Sequence, residues 1–259
     1  MAKTPAEQKL VAKLTAALSE VAKAMRGPYK KKPHPLETAK KIFESIPPEL
    51  QPKILAQAVG KGIRRFQAAA NLVADCEPSQ CVDQFIRAGL SHQDEKFRGC
   101  MVQTVGVCEL SRFAPELAKI ILDDDDDARW WAVIAAQSVR GPACLRALLK
   151  FAETFGDEHL PFSLRCSLSR YDSPSVKPQL ERAFRTHPED RHRVCAARGL
   201  GQQKNKEAIR YLVSKLDEPD IDSESRRAAQ ALSEIYGWDI EWSPKAQQEA
   251  KEKWAAMKK

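Results

Sequence analysis

One helical pattern recurs along the chain every 31 to 33 residues. In the full copies an arginine comes first, and small or aliphatic residues follow three, four and seven positions later, which is one face of a helix. At the centre of the chain these residues are Arg129, Ala132, Val133 and Ala136. A period of this length accommodates two helices, so the pattern predicts stacked helical pairs that bury their apolar faces against one another. The copies begin at Arg65, Arg98, Arg129, Pro161, Arg193 and Ser225.

The first helix of each pair is expected in the interval before the start of each copy. Several of these intervals open with proline, which the first turn of a helix tolerates well. Glycine is scarce, at 11 residues, and no segment alternates apolar and polar residues as a half-buried strand does. We therefore expect an all-α fold, a right-handed α-solenoid. A helix at Leu36–Ile46 is predicted before the first pair. The six predicted first helices are Pro47–Val59, Pro78–Leu90, Phe113–Leu122, Pro142–Glu153, Ser173–Arg185 and Asn205–Leu216.

The ends of the chain differ from the repeats. Thr4 and Glu7 form a capping box that opens an amphipathic helix, and a proline-rich basic segment follows that helix. Beyond the last copy, Trp238, Trp242 and Trp254 are apolar enough to cover its open face. The predicted segments are an N-terminal amphipathic helix at 1–26, a basic Pro-rich linker at 27–35, the repeats at 36–240 and a C-terminal capping helix at 241–259.

The positive charge of the chain lies mostly before the repeats. The net charge is +7, and the first 60 residues hold 11 Lys/Arg against five glutamates. The repeats are therefore close to neutral, and the basic pI does not indicate a basic groove for nucleic acid. In the linker, Lys30–Lys32 suit an anionic contact, although a solvated hinge explains them more simply.

An acidic residue lies four positions before the arginine in four copies: Asp94/Arg98, Asp125/Arg129, Glu189/Arg193 and Asp222/Arg226. With the Ala-Ala-x-x-Leu core that follows, this pattern resembles the HEAT-like repeats of the phycobilisome-lyase type over about residues 36–240. The resemblance implies about six HEAT-like pairs between capping helices, and a structural acid–arginine ladder between repeats. It also accounts for Asp123–Asp127, where one carboxylate would pair, one would cap the helix and the rest would favour its positive end.

No catalytic site has a recognisable spacing in this sequence. It contains no G-x-S-x-G, P-loop, H-E-x-x-H or glycine-rich dinucleotide turn. The seven cysteines are odd in number and include no C-x-x-C pair, so they are predicted to be reduced and mostly buried. The histidines, His187 and His192 among them, are interpreted as exposed turn residues. We predict no catalytic residue, no metal site and no cofactor, and we favour a binding protein over an enzyme.

The surface of interest is the side of the repeated helices that faces away from the core. Positions two, five and nine of each copy lie there, and they line the concave surface of HEAT-like solenoids. Because Trp and Arg contribute most to binding energy, we expect a protein or peptide partner with an apolar anchor and an acidic portion. Packing of Trp131 between repeats is the alternative. The predicted partner-binding residues are Gln103, Trp131, Ile134, Arg170, Arg198 and Arg227.

Two other functions stay open. A HEAT-like DNA glycosylase resembles the chain in size and helical repetition, with Asp127, Trp130 and Trp131 as its only candidates, but nearly neutral repeats offer few charges for phosphates. A phycobilin lyase is resembled only through the repeat. The chain has no apolar run of the ~18 residues needed to span a membrane, and no signal-like h-region near Met1. We therefore expect a cytoplasmic, monomeric scaffold without membrane contact.

Overall fold

The chain is helical throughout the part that the structure describes. Every regular element there is helical, with fifteen α-helices and two short 3₁₀-helices. The all-α class expected from the repeats is thus confirmed. The chain divides into two compact units, Met1–Val139 and Arg140–Lys259, and the division falls inside the predicted repeat region. The computed structural model describes residues 4–25, 34–60, 62–155, 159–217, 224–241, 243 and 245–257.

The first unit contains three consecutive helical pairs, α3/α4, α5/α6 and α7/α8, preceded by two further helices. Local chemistry fixes several of the helix starts. Ser79 accepts a hydrogen bond from the Val82 amide at 3.2 Å and caps α5, and Asp94 caps α6 in the same way. The helices are α1 (Pro5–Ala24), α2 (Pro35–Glu44), α3 (Gln51–Val59), α4 (Ile63–Ala74), α5 (Gln80–Leu90), α6 (Glu95–Val107), α7 (Ala114–Asp123) and α8 (Asp127–Val139).

Helices α6 and α8, the second members of neighbouring pairs, approach each other very closely. Gly106 lies directly against α8, and a Cβ atom built on it would stand 2.8 Å from Cβ and 2.9 Å from Cα of Ala135. Met101, Val105 and Ala132 are fully buried in the surrounding core. The absence of a side chain at one position therefore sets the distance between two helices.

The N-terminal helix packs on the first pair. Helix α1 contacts α2, α3 and α4, and its apolar stripe, which includes Leu14 and Leu18, is buried. The predicted capping box is present, with the Glu7 amide 3.2 Å from Oγ1 of Thr4. Ala70, which the helical phase places on the outward side of α4, is fully buried. Most of the predicted linker, with Lys30–Lys32, lies outside the described residues.

The second unit contains the pairs α9/α10, α11/α12 and α13/α14 and a final helix. Helix α10 belongs to the degenerate copy at Pro161 and has only seven residues. At the end of the unit, α15 packs on α14, and Tyr236 contacts the rings of Trp238 and Trp254 at centroid distances of 5.1 and 5.8 Å. Trp242 lies outside the described residues. The helices are α9 (Pro142–Ala152), α10 (Phe162–Leu168), α11 (Lys177–Thr186), α12 (Asp190–Gln202), α13 (Lys206–Lys215), α14 (Glu224–Tyr236) and α15 (Ala246–Met257).

The repeat spacing locates the second helix of every pair. Helices α4, α6, α8, α10, α12 and α14 each begin within three residues of the start read from the sequence. Each unit is thus a stack of helical pairs of the α-solenoid type, as expected for HEAT-like repeats. None of the helices in the described ranges is long and apolar enough to cross a membrane.

Candidate functional site

The recurrent arginine of α6 connects two consecutive pairs. Arg98 donates from Nε to Oδ2 of Asp124 at 2.7 Å and also binds the carboxylate of Asp126. A third contact reaches the backbone carbonyl of His92, in the turn that precedes α6. Asp126 accepts a further bond from the Ala128 amide at 2.8 Å, at the start of α8. The arginine thus ties the turn before α6 to the turn before α8, as a ladder between repeats requires.

The acids chosen for this ladder from the sequence are not the ones that Arg98 binds. Asp94 caps its own helix, since its carboxylate accepts the Lys96 amide in the first turn of α6. Asp125 is exposed, and the acids on either side of it bind the arginine instead. Asp222 lies outside the described residues, so its pairing with Arg226 stays a prediction.

In the second unit the corresponding contacts are also shifted by one residue. Glu189 binds Arg191 at 2.6 Å, and it is Asp190 that lies 3.4 Å from Nη1 of Arg193. Asp190 also accepts a hydrogen bond from Nζ of Lys215 at 2.5 Å, which joins α12 to α13. This bond, more than any other contact, holds the pKa of Asp190 below its usual range. The acid therefore links neighbouring pairs, but through a lysine of the next pair.

On α6 and α8, the outward-facing positions two, five and nine of each copy form a row that carries exposed apolar side chains. Trp131 and Ile134 of α8 are 41% and 42% exposed, and Val107 of α6 is 82% exposed. A Cβ atom on Gly99 would stand 3.4 Å from Cδ1 of Trp131, so one edge of the indole rests on the backbone of α6. The row includes no charged residue. Its members are Cys100, Gln103 and Val107 on α6 and Trp131, Ile134 and Ser138 on α8.

The arginines predicted to receive an acidic ligand are already bound within the second unit. Arg170 and Arg198 share Glu234, through Nη1–Oε1 at 2.6 Å and Nε–Oε2 at 2.7 Å. Burial raises the pKa of Glu234, and Arg170 opposes that rise. Arg227 lies 3.6 Å from Oε1 of Glu224. These pairs link the turn after α10, and α12, to α14, and an incoming carboxylate would compete with Glu234. The role of Arg170 and Arg198 in binding a partner stays a prediction.

A polar contact between α10 and α12 was missed by sequence reasoning. Gly199 lacks a side chain where the helices meet, and a Cβ atom there would stand 3.0 Å from the Cα of Ser169. One turn earlier on α12, Cys195 faces Cys166, and their Sγ atoms are 2.8 Å apart. Both cysteines lie at outward-facing positions of consecutive copies. The repeat spacing therefore contained the information needed to predict that they face each other.

A buried arginine and a buried histidine lie beside the two thiols. Arg165 is 1% exposed and His192 is 5% exposed, and Nη1 of the arginine is 2.5 Å from Nδ1 of the histidine. Burial, followed by the charge of Arg165, lowers the pKa of His192 to about 4. The interpretation of His192 as an exposed turn residue is therefore wrong. Helix α12 begins two residues before it, which turns its ring toward α10.

The same region contains a group of possible metal ligands, His187, Glu189 and His192, with ligand atoms within 4.8 Å of one another. The two imidazoles are stacked at 3.9 Å and 11°, so their lone pairs run side by side and do not converge on one point. Nδ1 of His187 already accepts the Glu189 amide. Arg165 and Arg191 add positive charge to the site. The geometry and charge of these three residues are therefore unsuited to binding a metal cation.

A pocket of about 470 Å³ lies in the first unit between α5 and α7. Four of its charged side chains are paired with each other, because Arg87 binds Glu116 at 2.8 Å and Arg98 binds Asp124. Ser91 and His92 also line it, but the Ser91 hydroxyl donates to the Arg87 carbonyl and Nδ1 of His92 accepts the Asp94 amide, so they are not engaged with each other as a nucleophile and its base. The pocket is therefore better explained as a cleft that the ion pairs between successive turns leave open.

Comparison with known proteins adds little to this geometry. No protein-family model matches the sequence, and no curated protein does. Among solved structures, human deoxyhypusine hydroxylase in complex with glycerol is similar to this chain over 87% of its length and 98% of the length of that protein. The sequence identity is 13% and the TM-score is 0.31, so this similarity carries no conclusion about activity.

Proposed function

We propose that the chain is a non-catalytic helical-repeat scaffold that binds a protein partner through the apolar row on α6 and α8. The observation that carries the proposal is the exposure of Val107, Trp131 and Ile134 on helices whose other apolar residues are mostly buried. Large apolar side chains that lie together in water usually mark an interaction site. Tryptophan in particular contributes much of the energy of protein interfaces.

The support beneath Trp131 favours binding over incidental exposure. One edge of its indole rests on Gly99 of α6, and the side chain remains 41% exposed. A ring held in this way loses little conformational freedom when a partner covers it. The packing of Trp131 between repeats and its role as an anchor are therefore compatible.

The chemistry of the row specifies the partner only in part. Because the row is uncharged, we propose that it receives apolar side chains of a protein or peptide. The acidic portion expected from the sequence is not needed, since Arg170 and Arg198 already bind Glu234. The proposal rests on the first unit alone.

The experiment is an affinity pull-down with the full chain, identification of the retained protein by mass spectrometry, and titration of that protein against variants. We expect Trp131→Ala to weaken binding by about 2 kcal/mol, roughly thirtyfold in Kd, because the main anchor is lost. Circular dichroism of the variant should match that of the wild type, since Trp131 is exposed and the core positions of α8, Ala132, Val133 and Ala136, are unchanged.

The matched control is Leu122→Ala. Leu122 is also an exposed apolar residue of the first unit, at 37%, but it lies on α7, a first helix of its pair. We expect its replacement to leave the affinity unchanged. If the wild type and Trp131→Ala bind the partner with equal affinity, the row is not the binding site.

DNA binding is the second candidate, as a HEAT-like DNA-binding protein or glycosylase. Asp127 and Trp131 are both exposed on α8, but the row that includes Trp131 is uncharged, and phosphate binding depends on lysines and arginines. Titration of duplex DNA at increasing salt tests this: tight binding with a steep loss of affinity at higher salt would favour the DNA function. A phycobilin-lyase function ranks third, because only the repeat pattern supports it.

A further inference from the structure

The pair Cys166 and Cys195 is the part of the molecule that the proposed scaffold function leaves unexplained. Their Sγ atoms, at 2.8 Å, are closer than two unbonded sulfur atoms normally approach, and a disulfide requires a separation of ~2.0 Å. The two cysteines lie on adjacent helices, α10 and α12, which are held close by Gly199. Only a small movement of the side chains would therefore join them.

The surroundings favour negative charge on one of the sulfurs. The hydrogen bond from Cys195, and then the charges of Arg227, Arg170 and Arg165, lower the pKa of the Cys166 thiol. Burial raises the pKa of the Cys195 thiol, whose proton is donated to Cys166. Cys166 is also the more accessible of the two, since it is half-buried while Cys195 is buried. The same positive charges argue against a metal cation at this pair.

The remaining thiols lack this environment. Burial raises the pKa of all five, so that at neutral pH they carry little thiolate. Cys108 is the one most exposed to solvent and provides a natural comparison for accessibility. The five are Cys76, Cys81, Cys100, Cys108 and Cys144.

We propose that Cys166 and Cys195 form a redox-active dithiol that a peroxide oxidises to a disulfide joining α10 to α12. The Cys166 thiolate attacks a peroxide oxygen, so that an S–O bond forms, the O–O bond breaks and the leaving hydroxide takes up a proton as water. The sulfur of Cys195 then attacks the resulting sulfenic acid, forming the S–S bond and releasing a second water. Two thiols lose two electrons in total, and hydrogen peroxide is reduced to two molecules of water.

The test uses the fully reduced chain and hydrogen peroxide. After exposure and blocking of the remaining thiols, digestion with trypsin without reductant should yield the short peptides 166–170 and 194–198 joined by a disulfide. Treatment with a thiol reductant should separate them. We expect Cys166 to be consumed severalfold faster than Cys108, because the pKa of the Cys166 thiol is lowered and that of the Cys108 thiol is raised by burial, so Cys166 carries more thiolate.

Three variants separate the steps. Cys195→Ser should stop the reaction at a sulfenic acid on Cys166, which a dimedone-type carbon nucleophile traps. Cys166→Ser should leave Cys195 reduced, because the attacking thiolate is gone. Cys108→Ser is the matched control, and it should form the disulfide at the wild-type rate.

The peptide map of the wild type is informative even if a variant does not fold. Recovery of both cysteines as free thiols after Cys108 has been oxidised would overturn the proposal. Oxidation of Cys195 at an undiminished rate in folded Cys166→Ser would also overturn it, because the order of attack would then be wrong. Neither result would bear on the apolar row of the first unit, so the two proposals stand or fall separately.

Discussion

At the scale of single residues, Arg98 and Arg87 show how burial determines the contribution of an ion pair to the free energy of unfolding. The Arg98 side chain is 13% exposed and binds two carboxylates, while that of Arg87 is 54% exposed and is paired with the single carboxylate of Glu116. Removing Arg98 leaves two partly buried acids without their partner, which costs far more than loss of a surface pair.

The first prediction compares these two arginines. Arg98→Ala should lower the free energy of unfolding by about 2 kcal/mol, and Arg87→Ala by no more than about 1 kcal/mol. Urea denaturation followed by circular dichroism measures both. Equal losses would mean that Arg98 is not a link between pairs.

The second prediction concerns pH and His192. Its pKa is about 4 in the folded chain and near 6.5 when unfolded, so between these values the unfolded chain binds more protons. Stability should therefore fall as the pH drops from 6.5 toward 4. The groups that face the ring are Arg165, His187 and Glu189, with Arg191 nearby, and the pKa of His187 is lowered as well, mainly by burial.

The measurement is urea denaturation at pH 7.5 and pH 5. The wild type should lose about 1–2 kcal/mol more than His192→Gln over this interval, because glutamine does not titrate. If both proteins lose the same amount, protonation of His192 does not oppose folding.

The sequence predicted the recurrent arginine but not its partner. Four acids occupy the turn-to-arginine spacing, and the sequence does not distinguish a carboxylate that only caps its own helix from one that also binds the arginine of the preceding pair. Asp94 and Asp126 have the same residue type and the same place before a helix, yet only Asp126 binds Arg98. The choice depends on the separation of successive turns, which is a tertiary property.

At the scale of helices, Gly99 and Gly106 on α6 are a matched pair. In an ordinary helix, replacing glycine with alanine stabilises by roughly 0.5–1 kcal/mol. Gly99 has room for a methyl group at 3.4 Å from the Trp131 ring, whereas Gly106 would place it 2.9 Å from the backbone of α8. The same substitution should therefore have opposite effects at two positions on the same face of α6, about two turns apart.

The third prediction follows from that contrast. Gly99→Ala should be neutral or slightly stabilising, and Gly106→Ala should destabilise by about 1–3 kcal/mol, because α8 would have to move. Thermal and urea denaturation of both variants test the contrast. Similar effects at both positions would show that α6 and α8 are not in the close contact described.

The repeat spacing predicted the helix positions and placed Cys166 and Cys195 in facing rows, but it did not predict how closely α10 and α12 approach each other. Arg165 occupies a core position of the degenerate copy and is buried there, as the helical phase implies. The approach of Cys166 to Cys195 instead depends on Gly199, whose effect on helix separation appears only when two repeats are packed.

At the scale of the whole molecule, the six copies predicted six helical pairs, and the structure has them. The two ends were less predictable. Ala70, a residue that the phase of α4 alone places in solvent, is fully buried, and α4 is packed against both α1 and α6. For the same reason, Arg170 and Arg198 could not be recognised as bound from their own helices, since Glu234 comes from a third one.

The most direct test of the docking surface is photo-crosslinking from the row itself. A benzophenone amino acid replaces Ile134 in one version of the full chain and Leu122 in another, and both are irradiated with the partner retained in the pull-down. If the partner binds the row on α6 and α8, we expect a crosslink from position 134 that is lost when Trp131→Ala is added, and no crosslink from position 122. A crosslink from position 122 with none from position 134 would contradict this location of the binding site.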